Sequence, residues 1–181
     1  MSRIAPLEPP YAPEIQEQFD AIMPPGVPPL LLFRTVAASA RAYTKFRKGS
    51  LLDRGPLTLR EREIVIDRTC ALTRCEYEWG VHIAFFAAAA RLTDEQVRAT
   101  VLEPADAACW NEAEQALIAA VDALHHHATW RGSEFDNLKA HYSDEKILEI
   151  IQLCGFYRTV AYFANGLDLP LEPNAARFPK A

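Results

Sequence analysis

The chain has 181 residues, a formal net charge of −5 and a sequence pI near 5.5, with no basic block of the kind that binds nucleic acid or acidic lipid. Its longest uncharged apolar run, Ile83 to Ala90, is too short to cross a bilayer, so neither nucleic acid nor membrane is expected as a partner. Of its 13 prolines, eight fall at or before Pro29, three lie in the last dozen residues, and only Pro56 and Pro104 interrupt the middle, which excludes an all-β chain built on frequent turns.

In chain order, residues 1–29 read as a proline-rich arm, with Glu14 to Ile22 its only helical segment. Whether the arm wraps its own domain or a neighbouring subunit stays open. Helical patterns follow over Leu30–Gly49, Leu59–Leu72 and Cys75–Ala90, then from Thr93 to before Pro104 and from Asn111 to the three histidines. Two more run from Ser133 to His141 and from Ser143 to Asn165-Gly166. Thr58 with Glu61 forms a capping-box pattern ahead of the second helix, and Asn165-Gly166 is placed as a C-cap. The expected architecture is an all-α bundle over residues 30–169, with the arm before it and a tail over 170–181. The N-terminus lacks an apolar export segment, which makes the cytoplasm the expected compartment, and the four cysteines read as thiols rather than a disulfide framework.

Two helices carry polar groups where periodicity places apolar ones. Around the helix from Leu59 to Leu72, Glu63 falls in one arc with Leu59, Ile66 and Cys70, whereas Glu61 and Arg62 read as a solvated charge run. In the next helix Cys75, Glu78 and His82 stand at i, i+3 and i+7, flanked by Trp79, Phe86 and Ala89. Singly, each is an ordinary core Cys, paired Glu or satisfied His. Together, buried carboxylates, a thiol and an imidazole must satisfy one another, and their proton affinities shift toward the range that acid–base chemistry uses.

Other candidates are weaker. His125-His126-His127 with Asp122 suggest a metal, but consecutive residues cannot share one site and ligands at zinc-motif spacing are missing, so no metal is expected. Cys109 and Cys154 read as packing groups, and Tyr157 and Arg158 lie within reach of the site without being required there.

The segment from Leu59-Arg60-Glu61-Arg62-Glu63 through Cys75-Glu76-Tyr77-Glu78-Trp79-Gly80-Val81-His82 resembles the carboxymuconolactone decarboxylase and alkylhydroperoxidase D superfamily. Peroxidase members of that superfamily carry a Glu, eleven residues, then Cys-x-x-Cys-x-x-x-His. Here Glu63, Cys75 and His82 match, and Glu78 replaces the second Cys. The Tyr-Glu-Trp-x-x-His wording is similar to the decarboxylase-like branch. The resemblance implies an alkylhydroperoxidase D-like helical fold, a homo-oligomer and a small-molecule substrate. It implies first a cofactor-free lyase in which His82, Glu78 and Glu63 move protons on a small lactone or keto acid. A second reading is a thiol peroxidase centred on Cys75, with Cys70 or an external thiol resolving it. A third is a non-catalytic oligomer that binds a small ligand in the same pocket.

Overall fold

The computed structural model of the chain describes residues 2–180, and all regular structure among them is helical. The helices are α1 (Pro13–Asp20), α2 (Leu31–Val36), α3 (Ala40–Lys48), α4 (Leu59–Leu72), α5 (Glu76–Phe86), α6 (Asp94–Leu102), α7 (Glu112–His127), α8 (Gly132–His141) and α9 (Asp144–Gly166). Capping boxes start three of them as their sequences dictate: Thr58/Glu61 at α4, Thr93/Gln96 at α6 and Asn111/Glu114 at α7.

The helix expected over Leu30–Gly49 is two helices. The chain breaks at Ala37–Ser39, where the Ser39 hydroxyl accepts the Ala42 amide and restarts the helix as α3. α5 also ends earlier than its apolar pattern, at Phe86, with turns to a left-handed Arg91. α9 closes past Gly166. Asp168 takes the left-handed conformation, and the Leu169 amide donates to the Ala164 carbonyl at 3.0 Å, so Asp168 fills the position often held by glycine.

α4 is the central helix, packed against α5, α6, α7 and α9. Every residue from Glu63 to Cys70 is therefore buried, including Asp67 and Arg68, because a helix enclosed on all sides has no solvent face. Around it Leu32, Tyr43, Trp79, Leu117, Ile150, Leu153 and Tyr157 form the apolar core with its own Ile66. α9 is long and apolar enough to cross a membrane by length and composition, and its Ile147, Ile150, Leu153, Tyr157 and Val160 are buried within the fold.

The arm wraps its own domain. The Arg3 amide donates to the Leu167 carbonyl at 2.8 Å, Arg34 Nε donates to the Leu7 carbonyl at 2.9 Å, and Phe19 is buried edge-on against Tyr43. The tail crosses α5. The Ala176 amide donates to the Gly80 carbonyl at 3.0 Å, the Phe178 ring lies 5.1 Å from that of Trp79, and the Glu172 carboxylate accepts from the Tyr77 hydroxyl and the Leu31 amide. Gly80 is required there, since a Cβ would sit 2.2 Å from the Ala176 carbonyl oxygen.

Candidate active site

α4 supplies Glu63 and α5 supplies Glu78 and His82, and the α4–α5 turn aligns the two helices. That turn is a Schellman motif: the Cys75 amide donates to the Cys70 carbonyl at 2.8 Å and the Arg74 amide to the Ala71 carbonyl at 3.0 Å, with Arg74 left-handed. Cys75 thus becomes the N-cap of α5, and one and two turns later Glu78 and His82 point back toward α4.

The core of the site is a hydrogen-bonded pair between His82 Nδ1 and Glu63 Oε2 at 2.7 Å, with His82 3% and Glu63 0% exposed. Arg62 Nε donates to the other oxygen, Glu63 Oε1, at 3.0 Å, so both Glu63 oxygens are engaged. On the far side of the imidazole, His82 Nε2 stands 3.5 Å from Glu78 Oε1, longer than a good hydrogen bond, and Glu78 Oε2 is buried with no partner among the described residues. Tyr157 of α9 meets the imidazole edge-on with centroids 5.1 Å apart, and Phe86 covers it at 5.2 Å. Burial alone would strip His82 of its proton. The Glu63 carboxylate, with Glu78 behind it, more than reverses this and holds the imidazole up at about 10.

The thiols differ. Cys70 and Cys75 are both free and fully buried. Burial pushes the Cys75 thiol up to about 12, the Glu78 amide offsetting part of that, while burial and the neighbouring Cys75 and Glu78 push Cys70 well above the thiol range. A nucleophilic cysteine needs the opposite environment, because the thiolate is the reacting form.

The structure brings together Glu63, Glu78 and His82 as their spacing suggested, with Cys75 behind Glu78 at the start of α5. Tyr157 joins them, whereas Arg158 turns away to donate to the Tyr162 hydroxyl and the His125 carbonyl. Arg62 corrects the sequence reading. Its guanidinium is no part of a solvated run but folds back over Glu63, anchored by a 2.8 Å bond from Nη1 to the Leu52 carbonyl and stacked 5.7 Å over the Phe86 ring. A side chain long enough to curl around its own helix defeats wheel placement. Asp67 was missed altogether. It stands one turn after Glu63 on the same stripe, so the i, i+4 carboxylate pair was the available signal.

His125, His126 and His127 sit at the C-terminal end of α7 beside a groove of about 590 Å³ that also touches Cys154, Arg158 and Tyr162, away from His82. Asp122 is taken by Arg68 at 2.6 Å rather than facing His126. Among the described residues no group of three or more His, Cys, Asp or Glu is placed to hold a metal ion. Cys109 is half-buried, and Cys154 lies 3.8 Å from the Thr69 hydroxyl, with burial raising its thiol to about 12.

No curated protein matches the chain. Among solved structures it is similar to an uncharacterized peroxidase-related protein from Silicibacter sp. TM1040, with a TM-score of 0.83 and 15% identity over 98% of this chain and 96% of that one. It is also similar to an alkylhydroperoxidase AhpD core protein from Ralstonia eutropha JMP134, with a TM-score of 0.78 and 18% identity over 95% and 93%. A third similar structure is the debrominase Bmp8, with a TM-score of 0.70 and 21% identity over 94% and 92%. Residues 37–122, which carry α4, α5 and the Glu63, Glu78 and His82 side chains, match the carboxymuconolactone decarboxylase family. Over those residues the chain is similar to the carboxymuconolactone decarboxylase family, and its fold is that of the alkylhydroperoxidase D-like structures.

Proposed function

We propose that the protein is a cofactor-free lyase of the carboxymuconolactone decarboxylase type, acting on a small lactone or keto acid through His82, Glu78 and Glu63. The observation that carries this reading is the asymmetry around the imidazole. Its Nδ1 is fixed by Glu63 at 2.7 Å, while its Nε2 faces Glu78 at a loose 3.5 Å beside an unpartnered carboxylate oxygen. One side is locked and the other is free to work. In the reaction the bond between the substrate carbon and its carboxylate breaks, carbon dioxide leaves, and the electron pair spreads into the adjacent carbonyl. The Nε2 proton of His82 then goes to that carbon, so each turnover consumes one proton. Glu63 orients the imidazole and stabilises its charged form, and Glu78 aligns the substrate or returns the proton. The substrate's own carbonyl accepts the electrons, so the step asks for no cofactor.

A thiol peroxidase centred on Cys75 ranks second. Its support is the turn that sets Cys75 beside Cys70, but the raised proton affinities of both thiols count against it. A non-catalytic ligand-binding oligomer leaves the fixed Glu63–His82 pair without a task. We also propose self-association through α9, where Leu148, Ile151 and Tyr162 are exposed on one side of the helix. Sedimentation of Ile151→Glu against the parent chain tests that.

The deciding experiment follows loss of 4-carboxymuconolactone and release of carbon dioxide by the parent chain, His82→Ala and Cys75→Ser. The expected result is turnover in the parent and in Cys75→Ser and none in His82→Ala. Thiol-dependent peroxide consumption abolished by Cys75→Ser, without lactone turnover, would replace this reading with the second.

A further inference from the structure

Asp67 has no place in the proton transfers proposed above, yet it is one of the most costly groups in the molecule. It is 1% exposed, and its Oδ1 has no hydrogen-bond partner among the described residues. It follows Glu63 by one turn of α4, on the stripe that also carries Cys70, so its carboxyl group stands beside Glu63 and toward His82 of α5.

The charges around it are already balanced. Arg62 is committed to Glu63 Oε1 at 3.0 Å, and His82 lies between Glu63 Oε2 at 2.7 Å and Glu78 Oε1 at 3.5 Å. Two cations thus face two carboxylates. On α9, Tyr157 adds an uncharged phenol, its own ionisation opposed by burial and by Glu78 and Glu63. On α7 the nearest carboxylates, Glu114 and Asp122, belong to Arg60 and Arg68. A third buried carboxylate with no cation of its own is the arrangement that low-dielectric surroundings penalise most.

We infer that Asp67 works as a neutral carboxylic acid that sets the charge around His82. Burial and the Glu63 charge hold this carboxyl well above the usual carboxylate range, with His82 pulling the other way. Asp67 is thus a positioning residue. Neutral, it leaves His82 between two carboxylates and able to give up its Nε2 proton. Ionised, it adds a third negative charge that holds that proton tighter. The consequence for turnover rests on the acid–base reading above, but the protonation of Asp67 does not.

The test uses the full-length chain and Asp67→Asn, in which the amide mimics the neutral acid permanently. Infrared spectra of the parent chain are expected to show a carboxylic acid C=O stretch at neutral pH that is missing from Asp67→Asn. NMR of the His82 ring is expected to show the same imidazolium at neutral pH in Asp67→Asn and in the parent. No acid band at neutral pH, a band that survives in Asp67→Asn, or a His82 ring protonated differently in the two chains at neutral pH would overturn the inference. The infrared spectrum of the parent needs no variant, and neither measurement needs a substrate. A failed lactone assay would therefore sink the proposed reaction and leave this result standing.

Discussion

The Cys75 amide donates to the Cys70 carbonyl at 2.8 Å across the turn that joins α4 to α5. This one bond places two buried cysteines at a helix junction, and it also fixes the phase of α5 so that His82 returns to Glu63. The cysteines are thus better understood as parts of the hinge that builds the site than as its reactive centre. At pH 7 both thiols in the folded chain are expected to resist a disulfide reagent on the time scale at which Cys109, half-buried at the surface, reacts. Counting thiols with the reagent before and after unfolding checks this. Rapid native-state reaction of Cys75 would revive the peroxidase reading.

The Glu63–His82 pair also has a structural role. Both side chains are almost fully buried, so removing His82 leaves Glu63 Oε2 buried without a partner while Arg62 holds only the other oxygen. His82→Ala is expected to cost about 3–5 kcal/mol, beyond its effect on turnover, as buried pairs do when one partner is deleted. His82→Gln, which keeps volume and a donor toward Glu63, is expected to recover part of the stability and none of the activity. Denaturant unfolding separates the two effects.

The raised proton affinity of His82 makes stability depend on pH in a definite direction. In the unfolded chain a histidine titrates near about 6.5; in the fold this one is held at about 10. Between those values the folded state binds the extra proton, so the imidazolium's contribution is complete below about 6.5 and falls away as pH rises through about 10. Asp67 acts in the same sense, because its raised folded affinity also makes stability decline as pH rises above the ordinary carboxylate range. Melting temperatures measured from pH 6 upward are expected to fall continuously, and a flat profile to alkaline pH would contradict both assignments.

Gly80 separates Trp79 from Val81 in the turn of α5 that ends at the imidazole, and the tail lies directly over it. Gly80→Ala is expected to lift residues 175–178 off α5, since backbone rather than a flexible side chain blocks the new Cβ. The loss of the Ala176–Gly80 hydrogen bond and of the Phe178–Trp79 contact is expected to destabilise the fold by about 2–3 kcal/mol. Limited proteolysis is expected to remove the tail from the variant faster than from the parent chain. Equal cleavage of both would show that the tail is held elsewhere.

The sequence by itself determined the helical class, the starts of α4, α6 and α7, and the convergence of Glu63, Glu78 and His82. Those features are local: caps are read within four residues, and side chains three, four or seven apart share a helix face by geometry alone. The helix ends were less legible. Four left-handed positions, Arg74, Arg91, Ala128 and Asp168, carry no glycine to announce them, and the break between α2 and α3 depends on a serine that could equally sit within a helix. Only the tertiary structure decided that α4 is enclosed on every side, which turned Asp67 from one more charge in a polar helix into an uncompensated acid. The same enclosure brought Tyr157 against the imidazole and gave Arg62 a carboxylate to cover. Burial is a property of the whole packing, and a helical wheel read one element at a time cannot supply it.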